Sequence, residues 1–321
     1  MTLAILFKLW VLVAVVGAGW YAGRTPLLQG PEPVKAISTV AFYLLVPALL
    51  FRSTARVDLA HLPWATLAAY FGPASAWVLV VYGLHRWRPL RPPADDPGAP
   101  ATRAIMCSFG NTLQVGLPFV AALFGDPGLE VHVALISLHA LTLLTLATVL
   151  IEFDLARAQA QGGRVWDTVK QTVRNTVIHP VILPVLGGLG WNLLGLPVPQ
   201  PMDEALQLLA SGVVPLCLVL IGLSLAHYGV EGHLKVALAC TVGKMLAMPA
   251  LVLAVAHGLL GLSGLPLQVI VLVAALPTGS NALLFAQRYG SQIPQATATI
   301  VVGTVAFSFL APLWLWVLST L

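Results

Sequence analysis

Residues Ser108–Gly125, SFGNTLQVGLPFVAALFG, interrupt an apolar run long enough to cross a bilayer. Gly110, Asn111, Gln114, Gly116 and Pro118 fall where an unbroken membrane helix would carry Leu or Val. Pro118 lacks the N–H that would continue the helix, and its ring clashes with the preceding turn. In lipid such a break persists only where protein or a water-filled cavity satisfies the freed backbone groups. The segment is therefore expected to be a discontinuous helix facing a cavity. Leu276–Gly290, LPTGSNALLFAQRYG, has the same character, with Pro277, Thr278, Gly279, Ser280 and Asn281 breaking a second apolar run. Both stretches close on an aromatic residue and Gly, Phe124-Gly125 and Tyr289-Gly290. Two broken spans in corresponding places point to a transporter's binding site.

The rest of the chain fits a membrane-embedded frame. Of its 321 residues 58% are hydrophobic and 9% charged, against about 25% charged in a soluble domain. At roughly 20 residues per span there is length for about ten helices. We read them at roughly 3–22, 33–52, 64–85, 102–124, 131–152, 174–195, 205–228, 235–260, 266–287 and 294–318. The runs are continuous rather than alternating, which excludes an outer-membrane barrel. The first run lacks a small-residue cleavage pattern and reads as a span. Cys107, Cys217 and Cys240 all fall within spans, form no close pair, and read as small buried hydrophobes. No metal or cofactor is expected.

Loop charge sets an orientation. With both termini outside, twelve of the 16 basic residues lie on inner connections and only Lys8, Arg52 and Arg56 lie outside. The net charge of +4 then reflects cytoplasmic Lys and Arg, not nucleic-acid binding. Arg52 and Arg56 read as snorkelling interface anchors.

The halves look like copies. Val46-Pro47 matches Val214-Pro215, His61-Leu62 matches His233-Leu234, and Gly125 matches Gly290, at offsets of 168, 172 and 165 residues. Five spans per half is an odd number, so the second copy is inverted. The division is 1–152 for the first repeat, 153–173 for a cytoplasmic loop and 174–321 for the second repeat.

The segments LVPALLFRSTARVDL, FGNTLQVGLPFVAALFG, VVPLCLVLIGLSL and LPTGSNALLFAQRYG resemble the auxin efflux carrier family. The resemblance covers nearly the whole chain. It implies an all-α fold like that of the bile-acid:sodium symporters: ten transmembrane helices in two inverted five-helix repeats, with the broken spans 4 and 9 crossing. It also implies a scaffold of spans 1, 2, 6 and 7, compatible with a homodimer, and a moving core of spans 3–5 and 8–10. Family members commonly open span 6 with Asn-Pro, where this chain has His179-Pro180. The short central loop also departs from many plant members, and both points favour a bacterial type.

Each break exposes a half-helix N-terminus near mid-membrane, at about Gly116–Pro118 and Thr278–Asn281. Pro suits a first helical position, and Thr, Ser or Asn can cap. Free N–H groups and the positive dipole end favour an anion. Candidate substrate contacts are Asn111, Thr112, Gln114 and Pro118, then Pro277, Thr278, Ser280 and Asn281, and finally His179. The plainer alternative is two kinked helices whose polar groups satisfy each other. Every Asp and Glu lies in a loop or at a span end, so the buried carboxylate usual in cation and proton carriers is missing. Lys244 lies within span 8. It reads as a substrate counter-charge, as a stand-in for a coupling cation, or as a structural donor to broken-helix carbonyls. His139 reads as packing.

The expected function is secondary transport of a small organic anion, carboxylate- or auxin-like, by elevator-like alternating access in the cytoplasmic membrane. A sodium-coupled symporter of a larger amphipathic anion such as a bile acid is the alternative. An intramembrane enzyme would need a nucleophile with its base, or buried acids, and a pump would need a nucleotide-binding loop; neither is found.

Overall fold

The computed structural model describes residues 3–56, 62–87, 96–159, 182–228 and 232–321. Their regular secondary structure is helical, joined by one isolated bridge between extended residues. In chain order the helices are α1 Leu3–Gly23, α2 Pro31–Ala55, α3 Trp64–Arg86, α4 Ala99–Met106, α5 Leu117–His139 and α6 Thr145–Gln159. There follow α7 Ile182–Leu193, α8 Gln200–Ser211, α9 Val213–Tyr228, α10 Leu234–Leu259, α11 Gly264–Ala274, α12 Ser280–Tyr289 and α13 Ile293–Ser319.

Six helices among the described residues are long and apolar enough to cross a membrane. One of them, Phe119–Ala158, runs for 40 residues, or about 60 Å, twice a hydrocarbon core. It cannot be one span. Gly125, at φ 60° and ψ −152°, divides it. Gly290, at φ 63°, ends α12, with Ser291 N bonded back to Ala286 O at 3.0 Å. Only glycine takes these conformations cheaply. Leu79, Val80, Leu183, Phe309 and Trp316 are among the large apolar side chains left exposed, as lipid-facing surfaces require.

Three prolines follow wide π turns. Ala41–Leu45 precedes Pro47, Thr112–Gly116 precedes Pro118, and Gly243–Ala247 precedes Pro249. A wide turn absorbs the missing N–H without ending the helix. The first break therefore falls at 107–111, ahead of the Gly116–Pro118 position expected from the proline, and the chain is helical again from Thr112. The stretch expected to open the central loop is also helical, as far as Gln159; its remainder lies outside the described residues.

α1 packs along α9 and α2 along α7, each pair parallel and each through a glycine. Gly222 sits against Val16 O and Trp20 N, and Gly188 against Phe51 O and Thr54. Small residues let membrane helices approach where no hydrophobic force between them is available. Charged pairs sit near helix ends. Arg86 meets Asp154 at 3.0 Å, and Asp203 takes both Arg52 at 2.8 Å and Arg56 at 2.7 Å. Those two arginines, expected as lipid anchors, thus clamp α8 to α2. Cys107 and Cys240 meet thiol to thiol, which their sequence separation conceals, and the three cysteines are unbridged.

Candidate functional site

The two breaks cross. Asn111 N donates to Pro277 O and Gly279 N to Phe109 O, each at 2.8 Å, closing an antiparallel bridge between Gly110 and Thr278. A broken helix in lipid must find such partners for its backbone. Gly279 is obligatory for this approach, because a Cβ there would lie 2.9 Å from Gly110 O.

The C-terminal ends of the half-helices α4 and α11 also gain side-chain donors. α4 ends at Met106, whose carbonyl accepts the Thr278 hydroxyl at 2.7 Å, while Trp77 Nε1 donates to Cys107 O at 2.9 Å. α11 ends at Ala274, whose carbonyl accepts Lys244 Nζ. Lys244 is 0% exposed, and its Cε lies 3.5 Å from where a Gly110 Cβ would stand. His132 Nε2 meets Thr112 O, in the Thr112–Gly116 π turn, at 2.9 Å. α12 starts without a side-chain cap, its N-cap being Gly279; Thr278, expected as a possible cap, serves α4 instead.

On one side of the bridge lies a cleft of about 80 Å³. Asn111, Thr112, Ser280 and Asn281 line it together with Gly110 and Gly279. Its apolar wall comes from Val46, Leu49 and Leu50 of α2 and Val213 and Val214 of α9, and Ile136, His139 and Ala140 close it. No acidic residue is among these lining residues. The N-terminus of α12 opens on this cleft, which favours a bound anion. Ser280 also meets the Cys217 thiol of α9. Asn111 lines a second, mostly apolar cavity of about 360 Å³ between α1, α9 and α13, walled by Trp20, Leu218, Ile221 and Ile300 among others.

The predicted residues divide accordingly. Asn111, Thr112, Ser280 and Asn281 meet at the cleft. Pro277 and Thr278 belong to the bridge behind it, and Lys244 to the helix end beyond. The side chains of Gln114 and Pro118, and the whole of His179, lie outside the described residues. Sequence reading passed over His139, Val46 and Val214 as contacts. The valines carried a signal, since each precedes a proline in the matched Val-Pro pairs. His139 had one too, seven residues after His132 and so on the same helix face.

Comparison with known proteins extends over nearly the same ground. The profile of a family described as "Membrane transport protein" matches residues 4–315. An uncharacterized transporter, YfdV, of Escherichia coli K12 is 30% identical over 125 residues, a match that spans 39% of each chain. Auxin efflux carrier component 8 of Arabidopsis thaliana is 23% identical over 92% of this chain and 94% of its own length. An uncharacterized transporter of Methanothermobacter thermautotrophicus is 22% identical over 89% of each.

Proposed function

Since this chain belongs to the membrane transport protein family, and with it to the auxin efflux carriers whose motifs it resembles, we propose that it moves a small organic anion across the cytoplasmic membrane by alternating access. It is a transporter, not an enzyme. The observation that carries the anion reading is the convergence of a helix N-terminus and the amides Asn111 and Asn281 on one cleft whose lining has no carboxylate. The cleft's ≈80 Å³ favours a mono- or dicarboxylate over a bile-acid-sized anion, because drug-sized ligands need about 300–1,000 Å³. The relative named for auxin makes an aromatic acid one candidate.

The ten-span, inverted-repeat reading has support in the crossing. Adding 168 to Phe109, Gly110 and Asn111 gives Pro277, Thr278 and Gly279, so the bridge maps onto itself and its two bonds interchange. Adding 168 to Gly19 and Phe51 gives Gly187 and Val219; Gly19 packs on Val219, and Gly187 with Gly188 on Phe51. The contact of α1 with α9 thus repeats as that of α7 with α2. Alternating access follows if the crossing, with α3 and α10, moves against these paired helices. Asn111, lining both cavities, then meets substrate from either side.

Purified protein should be stabilised against heat by organic acids. A ligand at one hundred times its Kd adds about 2.7 kcal/mol, which a thermal-shift screen detects. Stabilisation by amines or neutral sugars, with none by carboxylates with or without sodium, would sink the anion reading. We also expect both termini outside and residues 160–170 in the cytoplasm, from the division of Lys and Arg. A single cysteine introduced at Thr320 in a cysteine-free background should be labelled from outside intact cells. Labelling at Gly162 instead would reverse the orientation.

A further inference from the structure

His139 stands in the wall of the cleft, 1% exposed, with the Phe109 ring 4.4 Å away between centroids. Its Nδ1 faces the hydroxyl of Tyr70 at 3.5 Å, and its Nε2 has no hydrogen-bond partner. Tyr70 is fully buried on α3 and stands outside the cleft wall. Nδ1 is thus committed to Tyr70, and Nε2, buried and unpartnered, is the ring nitrogen left for a group bound in the cleft that His139 lines.

Hydrogen counting fixes the tautomer. The Tyr70 hydroxyl has one proton, and Nδ1 is the acceptor the structure gives it. A proton on Nδ1 would leave two buried groups unsatisfied, the phenol O–H and the Nε2 lone pair. A proton on Nε2 lets the phenol donate to Nδ1 and leaves one group unsatisfied, the Nε2–H. Buried polar groups are satisfied wherever they can be, so the second arrangement prevails in the empty protein. The remaining N–H asks for an acceptor, and a carboxylate oxygen in the cleft supplies one. Lys244 and His132 are its ionisable neighbours, and Asn111 and Asn281 line the same cleft.

We propose that His139 is a substrate-contact residue, a neutral Nε2–H donor to the anion, and that Tyr70 is the positioning residue that sets its tautomer. This rests on the organic-anion reading above and adds a third donor to the two amides, on the side facing α3.

The test uses the full chain with 15N-labelled histidine and benzoate and succinate as probes. In the wild type without ligand, nitrogen NMR should show the His139 proton on Nε2, the resonance being assigned by its loss in His139→Gln. Tyr70→Phe should move the ring toward a mixture of tautomers, which loss of packing alone would not do. Binding of either probe should shift the Nε2 resonance. His139→Ala should weaken binding about ten-fold or more, as loss of a hydrogen bond to a charged acceptor does. His139→Gln, whose amide can reach the Nε2 position, should lose less. A proton found on Nδ1 overturns the proposal without recourse to any variant's folding, as does unchanged affinity in a folded His139→Ala. Failure of the wild type to bind either probe overturns the organic-anion reading itself, and is seen before any variant is compared.

Discussion

Uptake by Lys244→Gln should fall roughly ten-fold or more while the yield of folded protein stays close to that of the wild type. Lys244 donates to the carbonyl that ends α11. In the other half of the chain the same task falls to Trp77, whose indole donates to Cys107 O at the end of α4. Subtracting 167 from Lys244 gives Trp77, and from Ala274 gives Cys107. A neutral donor therefore suffices to finish a half-helix, and the ammonium adds a charge. That charge lies on the α11 side of Gly110, next to Asn111 in the chain. At an effective dielectric of about 20, a cation ~8 Å from a bound anion contributes roughly 2 kcal/mol, more than a factor of ten in affinity. The glutamine keeps a donor for Ala274 O and loses only this attraction. Lys244→Ala also strands the carbonyl, at about 1–3 kcal/mol, which a fold of ordinary stability, about 5–15 kcal/mol, survives. Wild-type uptake by Lys244→Gln would reduce the lysine to a helix cap. Partial recovery of Lys244→Ala in methylammonium would identify the charge as the missing element. Recovery in sodium would instead mark the place as that of a coupling cation.

Substrate affinity should drop about ten- to a hundred-fold when either Asn111 or Asn281 becomes Ala, and further when it becomes Asp. Both amides line the cleft. The backbone of Asn111 is held by its bond to Pro277 O, and Asn281 sits in the first turn of α12. A hydrogen bond to a charged acceptor contributes about 1.5–3 kcal/mol, which sets the alanine effect. An ionised Asp adds repulsion of the substrate in a low-dielectric site. The aspartate penalty should ease as the pH falls through the carboxyl's range, while the alanine penalty stays constant. The measurement is affinity for the four variants at two pH values. If Asp binds as tightly as Asn at neutral pH, no anion sits at the crossing, and a cationic or neutral substrate becomes the better reading.

The sequence by itself determined that two membrane spans are broken, and where to within a few residues. Gly, Pro and Asn clustered in an apolar run mark a break or a kink in lipid, and the Val-Pro pairs recur 168 residues apart. It also placed every Asp and Glu in a loop or at a span end, and the lining of the cleft has none. Which way each polar side chain points was settled by tertiary structure alone. A soluble helix announces its inner face through an apolar stripe, but a membrane helix is apolar all round and carries no such mark. Thr278 therefore read as an equal of Asn111 and Asn281, and Lys244 as a counter-charge as readily as a donor to broken-helix carbonyls; Thr278 serves the carbonyl that ends α4 and Lys244 the one that ends α11. His139 read as packing, although it faces the cleft. Pro118 seemed to mark the break, but a π turn absorbs it and the chain parts earlier, at 107–111. There Phe109, Gly110 and Asn111 have backbone partners 168 residues away, a pairing that no local preference of the chain encodes.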